Sequence, residues 1–212
     1  MKISELSFRK LHHRLVFILF DQDNLELMHA LEGSAMPWDD RVNGALGFGY
    51  VDHEAGFTFE VLCYGHCDPQ SHGLSLLAGN DNVTEKLRKG LVDSSEIFGA
   101  PEEAAKDFQD KLELVLEGYV DSEAIEAVRA KEELDDNRHI DFPDDIMVQL
   151  VTVGESVDEC EMCWVRCEKQ EGGRYYGTLL DEPLFHKNVH KGDRLTFTLE
   201  ASPEGPICVA QV

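Results

Sequence analysis

The stretch VDECEMCWVRCEKQ, residues 157–170, contains three of the six cysteines of this 212-residue chain. Cys160, Cys163 and Cys167 follow the spacing C-x2-C-x3-C, and the first two have a separation that is common in structural zinc sites. Candidates for the remaining ligands of such a site are Cys167, His186, His190 and Cys208. The alternative is a β-strand in which the cysteines occupy buried positions.

Alternation along this stretch favours the strand. Cys163, Val165 and Cys167 would share one face of a strand, and Met162 and Trp164 the other. At about 3.3 Å per residue, Cys163 and Cys167 would lie about 13 Å apart, which is too far for two ligands of one zinc ion. No glycine, asparagine or proline between them supplies a turn, and free cysteine often packs as a small apolar residue. We therefore expect a strand with buried cysteines and no metal.

Further strand-like segments surround this stretch. IMVQLVTV, RYYGTLLDE and RLTFTLE are separated by turn-like EGG and KGD, which predicts a small antiparallel sheet or barrel over residues 141–212. Residues 1–140 form a mixed α/β part, with a β-hairpin around DHEAG and two acidic helices over about 101–118 and 122–134. The sequence thus predicts an α+β protein of two domains, 1–140 and 141–212, with a hinge near 135–145.

The chain is strongly acidic. It has 42 acidic and 19 basic residues and a formal net charge of -23. Such a surface repels the phosphates of nucleic acids and of anionic membranes, whereas a basic protein is an electrostatically suitable partner. Residues 93–145, which include both predicted helices, contain 18 acidic and 5 basic residues. We predict a basic protein partner, no nucleic-acid partner and no membrane partner.

The N-terminal region carries no secretory signal pattern. Its apolar run, Leu15–Phe20, has six residues, which is too short for a signal sequence or a membrane span. The run ends at Asp21 without a cleavage pattern. These features favour a cytoplasmic location, where cysteines are mostly reduced, so no disulfide framework is expected.

A second group of possible ligands lies in the segment CYGHCDPQSH. Cys63, His66, Cys67 and His72 could bind a metal, or Cys67 could act as a thiolate nucleophile beside His66. The segment is irregular and follows a predicted strand, where functional residues often lie. A polar loop with a half-buried cysteine is the simpler interpretation. The sequence also leaves open a small-molecule pocket that uses Trp38 and the aromatic residues of the hairpin.

Three motifs of the C-terminal part resemble a known family. EMCWV at 161–165, YGTLLDEP at 176–183 and KGDRLTF at 191–197 occur in the order found in the YegJ-like domain, a bacterial domain of unknown function. The resemblance covers about residues 145–212, and its characteristic positions are Glu161, Trp164, Gly177, Pro183, Gly192 and Asp193. Asp181 stands where the family commonly has asparagine, and the cysteines are not part of its pattern.

The resemblance implies structural roles. Trp164 would anchor the core of the small sheet, and Gly177 would permit a close backbone approach or a bulge. Pro183 would end its strand, and Gly192-Asp193 would form the turn into the last strand. The family has no assigned activity, and some relatives occur among proposed immunity proteins of bacterial toxin systems.

Together, these patterns predict an acidic cytoplasmic protein that acts as a non-catalytic protein-binding module, in its more specific form an immunity- or antitoxin-like protein. No cofactor is expected. The alternative function is a metal-binding protein or an enzyme that uses Cys63, His66, Cys67 and His72.

Overall fold

The computed structural model describes residues 1–30, 41–68, 71, 73–77, 85–100, 102–119, 121–152, 161–203 and 205–212. Strands outnumber helices in these ranges, which confirms an α+β protein and shows that it is mainly β. The chain divides into two compact units, Met1–Val120 and Asp121–Val212. The boundary between the units lies after residue 120, earlier than the boundary at 140 expected from the sequence. The reason is that residues 123–137 pack on strands of the second unit. No helix of the described ranges is long and apolar enough to cross a bilayer.

The first unit is built on a six-stranded antiparallel sheet. Its elements are β1 (Arg14–Leu19), α1 (Gln22–Ala30), β2 (Gly44–Asp52), β3 (Gly56–Cys67), β4 (Leu74–Leu76), β5 (Glu85–Arg88), β6 (Glu96–Gly99), α2 (Glu102–Asp107) and α3 (Gln109–Gly118). The strand order is β4-β3-β2-β1-β6, and β5 pairs with the first half of β3. The predicted hairpin is β2–β3, and Asp52 supports its turn by accepting hydrogen bonds from the N–H groups of Glu54 and Ala55.

Apolar cores cover both faces of this sheet. Phe59 of β3 is buried in the core on one face, and Cys63 is buried in the core on the other. Val115 of α3 packs against the second of these cores. The helix predicted over 101–118 is interrupted, because Phe108 adopts φ -115° and ψ 17° and thereby separates α2 from α3.

The second unit contains a closed five-stranded barrel. Its elements are α4 (Glu123–Arg129), a 3-10 helix (Glu132–Asn137), β7 (Asp145–Val151), β8 (Glu161–Glu171), β9 (Arg174–Leu179), β10 (Arg194–Ser202) and β11 (Gly205–Gln211). Consecutive strands alternate in direction, so the first and the fifth run the same way and can close the barrel only as a parallel pair. β7 and β11 form this pair, with Cys208 opposite Val148.

Alternate residues fill the barrel interior. Cys163, Val165 and Cys167 of β8 are buried, which confirms the strand and its two buried cysteines from Glu161 onward. Cys160 lies outside the described residues. The other buried interior residues are Ile146, Val148, Leu150, Tyr175, Leu179, Leu195, Phe197, Cys208 and Ala210. The interior is therefore a packed apolar core.

Trp164 does not anchor this core, so the role implied by the resemblance is wrong. Its neighbours Cys163 and Val165 point inward, and alternation places the indole on the outer face of β8. There Trp164 is half-buried, with its ring centroid 5.0 Å from that of His139. Which residues of β8 point into the barrel is therefore set by their odd or even position along the strand and not by the size of their side chains.

A bulge interrupts β8 between Cys167 and Lys169. Gly177 of β9 lies opposite Cys167, and a Cβ atom at Gly177 would lie 2.2 Å from the backbone oxygen of Arg166. Only glycine tolerates this approach of the two strands. The N–H of Cys167 donates to the backbone oxygen of Asp144 over 2.8 Å, which joins the bulge to the residue before β7.

α4 begins as the sequence predicts and ends earlier. The Ser122 hydroxyl accepts a hydrogen bond from the N–H of Ile125, which satisfies a free donor at the helix N-terminus. The helix ends at Arg129 rather than near Leu134, and the 3-10 helix follows. The expected hinge near 135–145 is instead packed on β7 and β11.

A buried ion pair joins α4 to the start of β7. The Arg129 side chain is 3% exposed, and its Nε and Nη2 donate to the two carboxylate oxygens of Asp144 over 2.9 and 2.6 Å. Burial alone would lower the pKa of Arg129, but the Asp144 carboxylate outweighs this effect and raises the pKa. The guanidinium therefore stays charged, and a bidentate geometry makes the pair specific.

We expect Arg129→Ala to destabilise the second unit by about 3–5 kcal/mol, because it leaves the Asp144 carboxylate buried without its partner. Native-state hydrogen exchange of the β7 and β8 amides measures this change in the full chain. The matched control is Lys169→Ala, which removes an exposed ion pair with Glu171 and should change stability by less than about 1 kcal/mol. Equal effects of the two substitutions would contradict the structural role of the buried pair.

Candidate functional site

The predicted cluster of Cys63, His66, Cys67 and His72 is not brought together in the part of the chain that the structure describes. Cys63 and Cys67 are buried in the core beneath α2 and α3. His66 immediately precedes Cys67 in β3 and therefore points to the opposite face, where it lines a pocket with Val42. His72, like Trp38, lies outside the described residues.

The described cysteines are buried, protonated thiols. Burial raises the pKa of Cys63 and Cys163 to about 11 and that of Cys167 and Cys208 to about 12, and it also raises the pKa of Cys67. Nucleophiles and metal ligands act as thiolates, so these shifts oppose both roles. Within the described ranges, no group of three or more histidine, cysteine or acidic side chains is placed to hold a metal ion.

We expect iodoacetamide to leave Cys63, Cys67, Cys163, Cys167 and Cys208 unmodified in the native protein at neutral pH, because these thiols are inaccessible and protonated. Urea should make all of them reactive. Peptide mass spectrometry after a short pulse of reagent resolves each site. Rapid modification of Cys67 in the native state would contradict its burial and restore the nucleophile interpretation.

One end of the barrel carries several of the motif residues. β7, β9 and β11 end there, and β8 and β10 begin there. Glu161, the first residue of β8, accepts hydrogen bonds from the N–H groups of Leu184 and Phe185 over 2.6 and 3.0 Å. Burial would raise the pKa of Glu161, but these bonds and one from the N–H of His186 outweigh it and lower the pKa. An ionised carboxylate therefore holds the loop of residues 180–193.

Other motif residues fasten the same loop. The carboxylate of Asp181 accepts a hydrogen bond from the N–H of Trp164 over 2.6 Å. Gly192 adopts φ +93° in the turn before β10. Its N–H donates to the backbone oxygen of Leu179, the last residue of β9, over 2.8 Å. The carboxylate of Asp193 accepts from the N–H of His190 over 2.8 Å. Gly192-Asp193 thus forms the turn into β10, which is followed by one more strand.

Pro183 is buried but does not end β9, so this part of the prediction is wrong. The strand ends earlier, at Leu179. Leu180 still donates to the backbone oxygen of Trp164, and the Asp181 carboxylate then accepts the N–H of Trp164 in place of a backbone oxygen. The carboxylate of Glu182 accepts a hydrogen bond from the N–H of Lys191 over 2.9 Å. This bond closes the loop on itself.

The tip of this loop exposes two large apolar side chains. Leu184 and Phe185 are 69% and 72% exposed, although Glu161 holds their backbone. The next residue, His186, is buried, and its Nδ1 lies 3.1 Å from the hydroxyl of Thr152. Exposed apolar side chains on a fixed backbone suit protein contacts, because little conformational entropy is lost on binding. We call Leu184 and Phe185 the apolar tip.

α3 carries a second candidate surface, which we call the acidic face and define as Asp110, Glu113, Leu114 and Glu117. The spacing i, i+3, i+4, i+7 places these residues on one side of the helix, away from the buried Val115. All four are exposed, and Leu114 is 68% exposed. An apolar side chain therefore stands beside a row of carboxylates.

One basic residue of α3 is turned inward. The Nζ of Lys111 donates to a backbone oxygen of β3 over 2.9 Å, whereas Lys106 remains exposed in α2. Lys111 is therefore directed toward the sheet and away from the acidic face.

The fold defines a two-unit, mainly β α+β protein with two exposed candidate contact surfaces, the apolar tip and the acidic face. No protein-family model, no curated protein and no solved structure matches the chain. The YegJ-like resemblance of residues 145–212 therefore stays a prediction.

The apolar tip and the loop-holding role of Glu161 were not predicted from the sequence. Leu184 and Phe185 follow the last residue of the motif YGTLLDEP, which was interpreted as the end of a strand. The available signal was an apolar pair in a segment with neither strand nor helix periodicity. Such a pair has no regular element to bury it.

We expect Glu161→Gln to lower the hydrogen-exchange protection of the Leu184 and Phe185 amides about fivefold, because bonds to a neutral acceptor are weaker by about 1 kcal/mol. Because the folded pKa of Glu161 lies below the ordinary 4.5, the wild-type loop should be fully held above pH 4.5 and lose protection as pH falls through the lowered pKa.

This pH dependence should disappear in Glu161→Gln. Glu200→Gln, at an exposed carboxylate of β10, is the control and should leave the loop amides unchanged. Unaltered protection of Leu184 and Phe185 in the Glu161 variant would show that the carboxylate does not hold the loop.

Proposed function

We propose that the protein is a non-catalytic binding module for a basic protein. The observation that carries this proposal is the acidic face of α3, where Asp110, Glu113 and Glu117 are exposed while Lys111 is bonded to the sheet. A net charge of -23 adds a long-range field that draws basic partners and speeds their association. Charge alone gives little specificity, so an apolar contact is also required.

Leu114 supplies that contact on the acidic face. A leucine that is 68% exposed gains free energy when a partner covers it, and the neighbouring carboxylates orient a basic partner around it. This arrangement of an apolar centre with a charged rim is typical of protein interfaces. The apolar tip of the second unit offers a further contact of the same kind.

In its specific form, the proposal is that the chain neutralises a basic toxin, as an immunity- or antitoxin-like protein does. Its support is the acidic surface together with the YegJ-like resemblance of residues 145–212. A protein that blocks a toxin needs a fixed surface rather than reactive groups, and the buried, protonated cysteines agree with such a role.

The test is a comparison of two triple variants with the same loss of charge. Asp110→Asn/Glu113→Gln/Glu117→Gln removes the carboxylates of the acidic face. The matched control, Asp23→Asn/Glu26→Gln/Glu54→Gln, removes three exposed carboxylates elsewhere in the first unit, and Glu26 accepts a glutamine hydrogen bond as Glu113 does. Both variants keep the shapes of the side chains.

We expect the wild type to capture a basic protein at about 0.05 M salt and to lose it at about 0.5 M salt, because screening by salt shortens the range of electrostatic attraction. With the purified partner, the acidic-face variant should bind about tenfold more weakly at low salt, at about 0.5 kcal/mol per exposed pair. The control variant should bind within about twofold of wild type. Leu114→Ala should weaken binding at low salt without changing how steeply the affinity depends on salt concentration.

Two results would contradict the proposal. One is the absence of any salt-sensitive basic partner. The other is an equal loss of affinity in the two triple variants, which would mean that net charge acts without a defined surface.

A further inference from the structure

A carboxyl group lies in the interior of the first unit. Glu60 of β3 is 2% exposed, and its paired neighbours in the sheet are Phe48 of β2 and Lys86 of β5. Paired residues share a face of the sheet, and Phe48 belongs to the same core as Val115 of α3. The Glu60 side chain therefore lies on the face of the sheet that α3 covers.

Two contacts of α3 show that this helix passes over Glu60. Near the start of the helix, the Nζ of Lys111 donates to the backbone oxygen of the residue that follows Glu60 in β3, over 2.9 Å. Just after the end of the helix, the ring of Tyr119 stacks on that of Tyr50, with the centroids 4.2 Å apart. Tyr50 is paired with Thr58, so the two contacts lie on either side of Glu60 along β3. Lifting of α3 would expose the carboxyl to water.

Polar contacts link the Glu60 carboxyl to the end of α3. The Tyr50 hydroxyl donates to the carboxyl over 3.3 Å, which is the one hydrogen bond that the described residues give to it. The Nζ of Lys86 donates to the hydroxyl of Tyr119, whose ring covers that of Tyr50. Tyr119 thus fastens the end of the helix above the buried carboxyl.

The surroundings favour the neutral form of this carboxyl. The titratable groups around it come from β2, β5 and α3 and are Tyr50, Asp52, Lys86, Arg88, Lys111 and Tyr119. Burial raises the pKa of Glu60 and outweighs the three cations and the bond from Tyr50, which lower it. Asp52 pairs with Arg88 over 3.7 Å, and burial raises the pKa of Tyr50, so the Tyr50 hydroxyl stays neutral.

We propose that Glu60 is a pH-sensitive latch for α3, which stays closed over the neutral carboxyl and opens more often when the carboxyl is ionised. A buried charge with one hydrogen bond is costly, and opening lets water reach it. Because the folded pKa of Glu60 lies above the ordinary 4.5, the closed state has its full stability below pH 4.5 and loses stability as pH rises through the raised pKa. The latch would also make the presentation of the acidic face pH-dependent, a consequence that rests on the proposed function.

The test is hydrogen exchange of the full-length protein at pH 5 and pH 8, read at the amides of Val115 and Tyr119 and corrected for the intrinsic exchange rate. Opening of α3 should become more frequent at pH 8, by about tenfold for each pH unit by which the pKa of Glu60 exceeds 5. Glu60→Gln, which keeps an acceptor for Tyr50 without the charge, should remove this rise. Glu54→Gln changes an exposed carboxylate in the turn of the same sheet and should retain it.

Two further measurements complete the test. The 13C resonance of the Glu60 carboxyl in the wild type reports its pKa directly, and this measurement needs no variant to fold. Tyr119→Phe removes the hydroxyl that Lys86 contacts and keeps the ring that stacks on Tyr50. We expect this variant to open α3 about fivefold more often at both pH values.

The proposal is overturned if Glu60→Gln shows the same pH dependence as the wild type, or if the Glu60 carboxyl titrates at or below pH 4.5. It is also overturned if the amides of Val115 and Tyr119 exchange no faster than those of β1, because α3 would then open only when the whole unit unfolds. No partner protein is present in these measurements, so their failure and the failure of the proposed function are separate results.

Discussion

A barrel of five strands that follow one another in sequence can close only through a parallel pair, and the second unit depends on this constraint. β7 and β11 meet in parallel, and the other pairs are antiparallel. The constraint sets the direction of every strand, so the ends of β7, β9 and β11 meet the starts of β8 and β10. It also fixes which residues face the interior, because residues paired across neighbouring strands point to the same side of the sheet.

The two ends of this barrel have different roles. At one end, Arg129 and Asp144 form a buried pair that holds α4, and Gly177 allows the close strand contact at the bulge of β8. At the other end, Glu161 holds a loop whose tip is apolar and exposed. The buried pair thus fixes the position of α4 and is costly to break, whereas a half-buried carboxylate positions a surface that remains open for contact.

Sequence alternation was sufficient to predict the β8 strand and its buried Cys163 and Cys167. Turn residues located the β2–β3 hairpin, and capping residues placed the start of α4 at Asp121 or Ser122, of which the structure uses Ser122. The same alternation places Trp164 on the outer face once the cysteines are inside, and the core role of Trp164 came only from the resemblance. The cysteine and histidine cluster was misleading for a related reason, since adjacent residues of a strand point to opposite faces.

The division of the chain and the location of the contact surfaces needed tertiary information. The helix α4 looks like a continuation of the acidic helices, and only its packing on β8 assigns it to the second unit. The charge of the acidic face likewise depends on where the neighbouring basic residue points, because Lys111 donates to the sheet. Composition indicated a basic partner, and the structure adds a specific face to which such a partner is proposed to bind.

The most direct test of the proposed interface is carboxyl footprinting of the protein with its captured basic partner, read by peptide mass spectrometry. We expect strong protection of Asp110, Glu113 and Glu117 in the complex, with unchanged labelling of Asp23, Glu26 and Glu54. Protection of the second set without the first, or uniform labelling of both sets, would contradict the proposed interface.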